Sequence, residues 1–129
     1  MDFMIGFGKQ PQTLTVPDSN LLSVLEPNQL EIPCHGREAV EAALLNPISS
    51  TPLKDLVLAG EKIVIITSDI TRPLPSKEVL PSVLEELYAA GVKNSDITIV
   101  FALGSHRRHT VDEMKALVGD EIFGSIRCM

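Results

Sequence analysis

Two β-branched runs, KIVIIT at residues 62–67 and DITIVFAL at 96–103, flank a helix-patterned stretch and constrain the fold more than any other feature. A continuous apolar run of this length is expected of a parallel strand covered on both faces. Between the runs, SKEVLPSVLEELYAAG sets Val79, Leu80, Val83, Leu84, Leu87 and Tyr88 at helical spacing, with Gly91 as the stop. Pro81 falls in the first turns of that helix and marks either its true start or a kink. After the second run, Thr110-Val111-Asp112-Glu113 has the form of a capping box, opening a helix that ends near Gly119. SIRCM at 125–129 reads as the start of a third strand. This rhythm means βαβ units with right-handed crossovers. The expected fold class is α/β: a parallel-sheet, Rossmann-like βαβ domain preceded by short strands.

The upstream third is less regular. LTV and LEI, separated by Pro17, Pro27 and Pro33, read as edge strands and turns. REAVEAALLNP at 37–47 has a helical stripe (Val40, Ala43, Leu44) that stops at Asn46-Pro47. In STPLKDLVLAG, Thr51 suits a cap, Pro52 a first helical position and Gly60 an end. At 129 residues the chain is expected to form a single α/β domain over 1–129. It stops inside a strand, so it is expected to be the amino-terminal part of a longer, two-domain protein.

Charge and composition narrow the function. A net charge of −6 argues against nucleic-acid and anionic-membrane partners. No apolar stretch approaches the roughly 20 residues of a spanning helix. MDFMIGFGKQ lacks a signal peptide's basic start and apolar core. Two scattered cysteines, Cys34 and Cys128, suit a reducing compartment, and a cytoplasmic location is expected.

Parallel strands deliver the loops at their carboxyl ends to one rim, where open α/β folds usually bind ligands. The first strand delivers SDITRPLP (68–75), the second GSHRRHT (104–110). Asp69, Thr71 and Arg72 should therefore lie close to Ser105, His106 and Arg107. Histidine side chains ordinarily titrate at about 6.5, so a histidine such as His106 suits proton transfer near neutrality. Arg72 or Arg107 can clamp a carboxylate or phosphate through paired hydrogen bonds. The helix start at Thr110 offers free N–H groups to an anion. Asp69 can orient the histidine, hold a ribose hydroxyl or cap the turn. Singly, each reads more readily as a turn former or a solvated side chain; their convergence on one rim favours a site. GFGK (6–9) lacks the rest of a phosphate loop and reads as a turn. Cys34 and His35 read as a helix opening rather than a nucleophile and base.

SDITRPLPS followed by ALGSHRRHT resembles the amino-terminal domain of the nickel-pincer lactate racemase family. PDSNLLSVLEPN, LNPISSTPLKDL, LYAAGVKNSDITIV and VDEMKALVGDEI resemble that domain in the same order, so the likeness spans nearly the whole chain. The resemblance implies an isomerase that inverts a carbon bearing a hydroxyl beside a carboxylate. Its cofactor is a nickel pincer nucleotide, a nickel pyridine-bisthiocarboxylic acid mononucleotide that accepts and returns a hydride. By position, His106 matches the first of two proton-shuttling histidines. Asp69, Ile70, Thr71 and Arg72 match the cofactor-holding segment, with Arg72 also near the substrate.

In the family the second catalytic histidine, the cofactor-bearing lysine and the nickel-ligating histidine lie downstream of the position at which this chain ends. Lys115 and His109 do not substitute for them, and no metal ligand is assigned here. The chain alone is therefore expected to lack racemase activity and the cofactor. The expected partners are a small 2-hydroxyacid substrate, a carboxy-terminal domain of the same protein and further copies of the chain in a homo-oligomer. The alternative is a non-catalytic α/β module that binds a nucleotide or small anion at the rim.

Overall fold

A computed structural model describes all residues, Met1–Met129, as two compact units, Met1–Glu31 and Ile32–Met129. In the first unit, β1 (Asp2–Phe7) and β2 (Gln10–Thr15) form an antiparallel hairpin with Phe7 opposite Gln10. The turn between them is Gly8-Lys9, where Gly8 takes φ +60°, so only the second half of GFGK is the expected turn, and Gly6 and Phe7 are paired in β1. The LEI stretch is a correction: it forms no strand. Pro27 and Pro33 on either side cannot donate to a ladder.

In the second unit, α1 (Gly36–Leu45) opens after His35, and α2 (Leu53–Leu56) is a single turn. Thr51 does not cap α2, because Pro52 occupies the capping position without a side-chain bond. Gly60 does not end it either. The chain leaves the helix at Val57 and turns separately, with the Leu58 N–H donating to Glu61 Oε2 at 2.8 Å.

The sheet follows the expected rhythm. β3 (Ile63–Ser68), β4 (Ile97–Ala102) and β5 (Arg127–Cys128) are parallel in the order β3-β4-β5. The crossovers are α3 (Ser76–Ala89), then α4 (Val111–Val118) with α5 (Asp120–Ser125). α4 ends at Gly119 as expected, but the second short helix that follows it, α5, has no counterpart in the sequence reading. α3 starts at Ser76 and continues past Pro81, so Pro81 is not its start; the proline's missing N–H leaves the Lys77 carbonyl without its helical donor. α3 ends on Gly91, φ +84°, with the Val92 N–H donating back to the Leu87 carbonyl. A Cβ there would lie 3.1 Å from that of Ala59, so both conformation and contact favour glycine.

Ile63, Ile65, Ile97, Ile99 and Phe101 share one sheet face, which packs with Leu80, Leu84 and Leu87 of α3, Val118 and Ile126. The opposite face is a correction to the expectation of two covered faces: Val64 is 60% and Ile66 71% exposed. Each crossover steps one strand in the same direction, so right-handed connections put the helices on one side. Both loops at the carboxyl ends of β3 and β4 therefore meet above a rigid, one-sided core. No helix is long and apolar enough to cross a membrane.

Candidate functional site

Register places Ser68, the last residue of β3, beside Ala102, the last of β4, so the two loops leave the sheet together. Gly104, φ +58°, turns the second loop sharply, and the His106 N–H closes that turn on the Leu103 carbonyl at 3.0 Å. In the first loop the Arg72 N–H donates to the Asp69 carbonyl at 3.1 Å.

Asp69 is the buried centre, 4% exposed. Its Oδ1 accepts from the Thr71 N–H at 2.7 Å and the Thr71 hydroxyl at 2.5 Å. Its Oδ2 accepts from His106 Nδ1 at 2.7 Å. The Thr71 hydroxyl, the His106 ring and the Thr71 amide, in that order, hold the carboxyl well below the usual carboxylate range. Asp69 is thus an anion that keeps a proton on His106 Nδ1 and leaves Nε2 as the free nitrogen of a ring still 45% exposed. Beneath the loop, the Thr67 and Ser76 hydroxyls share a buried 2.6 Å hydrogen bond that joins the end of β3 to the start of α3.

Asp69, Ile70, Thr71 and His106 line one open pocket of about 200 Å³ with Arg107 and His109. Arg72 does not line it: its side chain is exposed and makes no hydrogen bond or ion pair within the chain. Arg107 is not free to clamp a ligand. Its guanidinium forks onto Glu113, at 2.8 Å and 2.6 Å. Glu113 also accepts from the Thr110 N–H, and Thr110 Oγ1 accepts from the Glu113 N–H, completing the capping box. The helix start is therefore partly occupied by its own cap, a correction to the expectation of free N–H groups there. Arg107 first, then the Thr110 amide, lower the Glu113 carboxyl to about 2.

Sequence reasoning missed His109 as a contact between loops. Its Nε2 accepts from the Ile70 N–H at 3.1 Å, and its ring meets Phe101 edge to face, centroids 5.2 Å apart. A histidine three residues after His106 gives no periodic signal in a loop. A larger cavity of about 350 Å³ lies beside it, lined mainly by apolar groups including Phe101, Leu103 and Met114. No cluster of three His, Cys, Asp or Glu side chains is placed to hold a metal ion.

The sequence model of the lactate racemase N-terminal domain matches residues 7–129. The chain belongs to that family. It is 36% identical over 120 residues to a lactate racemase of Thermoanaerobacterium thermosaccharolyticum, covering 92% of this chain and 28% of that protein. It is 40% identical over 86 residues to a lactate racemase of Lactiplantibacillus plantarum, covering 67% of this chain and 20% of that protein. Its fold matches the lactate racemase apoprotein structure from T. thermosaccharolyticum with a TM-score of 0.77 at 33% identity, over 100% of this chain and 30% of that one. The chain therefore spans less than a third of the length of the relatives it matches. The fold is the expected α/β architecture with a three-stranded parallel sheet.

Proposed function

We propose that this chain supplies the first proton-transfer group and part of the cofactor cradle of a 2-hydroxyacid racemase or epimerase. The observation that carries the reading is the 2.7 Å contact between Asp69 Oδ2 and His106 Nδ1. A general base needs a free nitrogen in a defined tautomer within reach of the hydroxyl it deprotonates. The buried Asp69 anion provides that by fixing the proton on Nδ1. His106 Nε2 takes the substrate hydroxyl proton in one direction and returns it in the other.

The group the resemblance implies, a nickel pincer nucleotide, would supply a hydride acceptor beside the substrate carbon. The donor set here suits the edge of such an anionic nucleotide: an unpaired Arg72 guanidinium and the pocket edge at Ile70 and Thr71. Arg72 binds phosphate or carboxylate oxygens bidentately, and Asp69 orients the base rather than contacting metal. The remaining machinery would come from a carboxy-terminal domain of the same protein, a part consistent with how little of the relatives this chain covers. The acid inverted, the cytoplasmic location and assembly into oligomers belong to the same proposal.

Chiral chromatography of a 2-hydroxyacid panel tests this in the intact, cofactor-loaded protein. Inversion in the wild type, lost in His106→Ala with cofactor retained, is the expected result. Undiminished inversion in the variant removes His106 from the chemistry.

A further inference from the structure

The segment Asp69-Ile70-Thr71 behaves as one small rigid body. The Asp69 carboxylate bonds both donors of Thr71, so wherever the backbone of Ile70 goes, the carboxylate facing His106 goes too. Ile70 is not anchored by its own side chain, which is 44% exposed. The contact that ties its backbone to the neighbouring loop is the N–H bond to His109 Nε2.

His109 is well built to hold that position. Its ring stands edge-on to Phe101, at an interplanar angle of 85°, and Phe101 is itself 5% exposed on the core face of β4. Because Nε2 accepts, the ring is the neutral tautomer with its proton on Nδ1. Nδ1 is buried without a partner, so the ring's hydrogen bonding is directed wholly at Ile70. Two imidazoles of one loop thus grip a three-residue segment of the other: His106 through a side chain, His109 through the backbone.

We propose that His109 is a positioning residue: a neutral imidazole that locks the backbone of Ile70 to β4 and so holds Asp69 in register with His106. The proposal rests on the reading of His106 as the proton-transfer group, and it concerns a residue that does not touch the substrate in that reading. A merely structural His109 would serve by filling space against Phe101, and phenylalanine would do the same.

The test compares His109→Phe, which keeps an aromatic ring and removes the acceptor, with His109→Gln, which keeps an acceptor near the Nε2 position. In the intact protein, NMR reads the through-hydrogen-bond coupling between the Ile70 amide nitrogen and His109 Nε2, the exchange of the Ile70 amide and the resonance of the His106 Nδ1 proton. The wild type is expected to show the coupling. His109→Phe should exchange Ile70 about ten-fold faster and broaden the His106 proton signal, with Gln restoring both in part. In turnover, His109→Phe should lower kcat about ten-fold with KM little changed, the mark of misplaced chemistry rather than lost binding. Absence of the coupling in the wild type overturns the proposal, and this holds even if His109→Phe fails to fold. Equal behaviour of the Phe variant and the wild type, or of the Phe and Gln variants, overturns it as well. Should the wild type show no inversion, the functional reading falls, while coupling and exchange still decide whether His109 sets the Asp69–His106 pair.

Discussion

His106 donates its Nδ1 proton to Asp69 across 2.7 Å, and Asp69 accepts it with the one oxygen that Thr71 leaves open. The arrangement is asymmetric. One oxygen is saturated by its own loop, so the other has a single direction in which to act. That fixes both the plane and the tautomer of the imidazole, which a histidine on an exposed loop would otherwise sample freely.

Replacing Asp69 with asparagine should therefore harm chemistry more than folding. The amide can turn its NH2 toward His106 and stabilise the wrong tautomer. In the intact protein, Asp69→Asn is expected to lower kcat for 2-hydroxyacid inversion by about 10²–10⁴-fold. Retention of cofactor, followed by absorbance, separates this from loss of the cradle. Wild-type turnover in Asp69→Asn would show that the pair is not catalytic.

Glu113 governs an acid limb of stability. Its carboxyl is lowered from 4.5 to about 2 by Arg107 and the Thr110 amide. A depressed carboxylate stabilises the fold fully above its unfolded value, and that contribution is lost as pH falls through the folded value. The expected window is thus from about pH 4.5 down to about 2. Glu113→Gln keeps a capping-box acceptor but removes the charge. Melting temperature against pH should fall less steeply across that window in the variant. Superimposable slopes would mean that Arg107 and Glu113 do not pair in solution.

The Thr67–Ser76 hydroxyl pair carries a double-mutant prediction. Ser76→Ala leaves the Thr67 hydroxyl buried without its partner, a loss of about 1–3 kcal/mol. Removing both hydroxyls, Thr67→Val with Ser76→Ala, should recover part of that loss, since no polar group is then stranded. Urea titration measures it. Strict additivity of the two single changes would refute the coupling.

Much of this architecture was legible because β-branched runs and capping signals act locally. KIVIIT, DITIVFAL and the Thr110–Glu113 box gave strands and a helix start within a residue or two of their positions. The bare face carrying Val64 and Ile66 was not legible, because a continuous apolar run has the same letters whether one face or two are covered. Asp69 and His106 were bracketed by topology, which brings two loops to one rim but does not aim side chains. His109 and the Arg107–Glu113 fork depend on rotamers of a loop, for which the sequence carries no period. Hence the sequence alone suggests an anion clamp at Arg107, whereas its guanidinium is committed to Glu113 of α4.

One-sided packing predicts unequal costs within the sheet. Ile99 is fully buried, and Ile99→Ala should lose about 2–5 kcal/mol, the range for emptying a core site. Ile66, one strand over and 71% exposed, points to the opposite face. Ile66→Thr is expected to change the stability of this chain by no more than about 0.5 kcal/mol. Comparable losses at the two positions would indicate that the second face is covered in solution.

Arg72 separates binding from folding most cleanly. Its side chain is exposed and bonds nothing within the chain, so Arg72→Ala should leave the melting temperature unchanged. If the guanidinium meets cofactor or substrate oxygens, the same change should lower kcat/KM in the intact protein by about 10²–10³. Lysine restores charge without the planar fork, so Arg72→Lys should recover only a fraction. Racemisation at the wild-type rate in Arg72→Ala would remove Arg72 from the site and leave the rim to Asp69, Thr71 and the two histidines. A lowered melting temperature in Arg72→Ala would instead mean that the side chain supports the fold through contacts it does not make here.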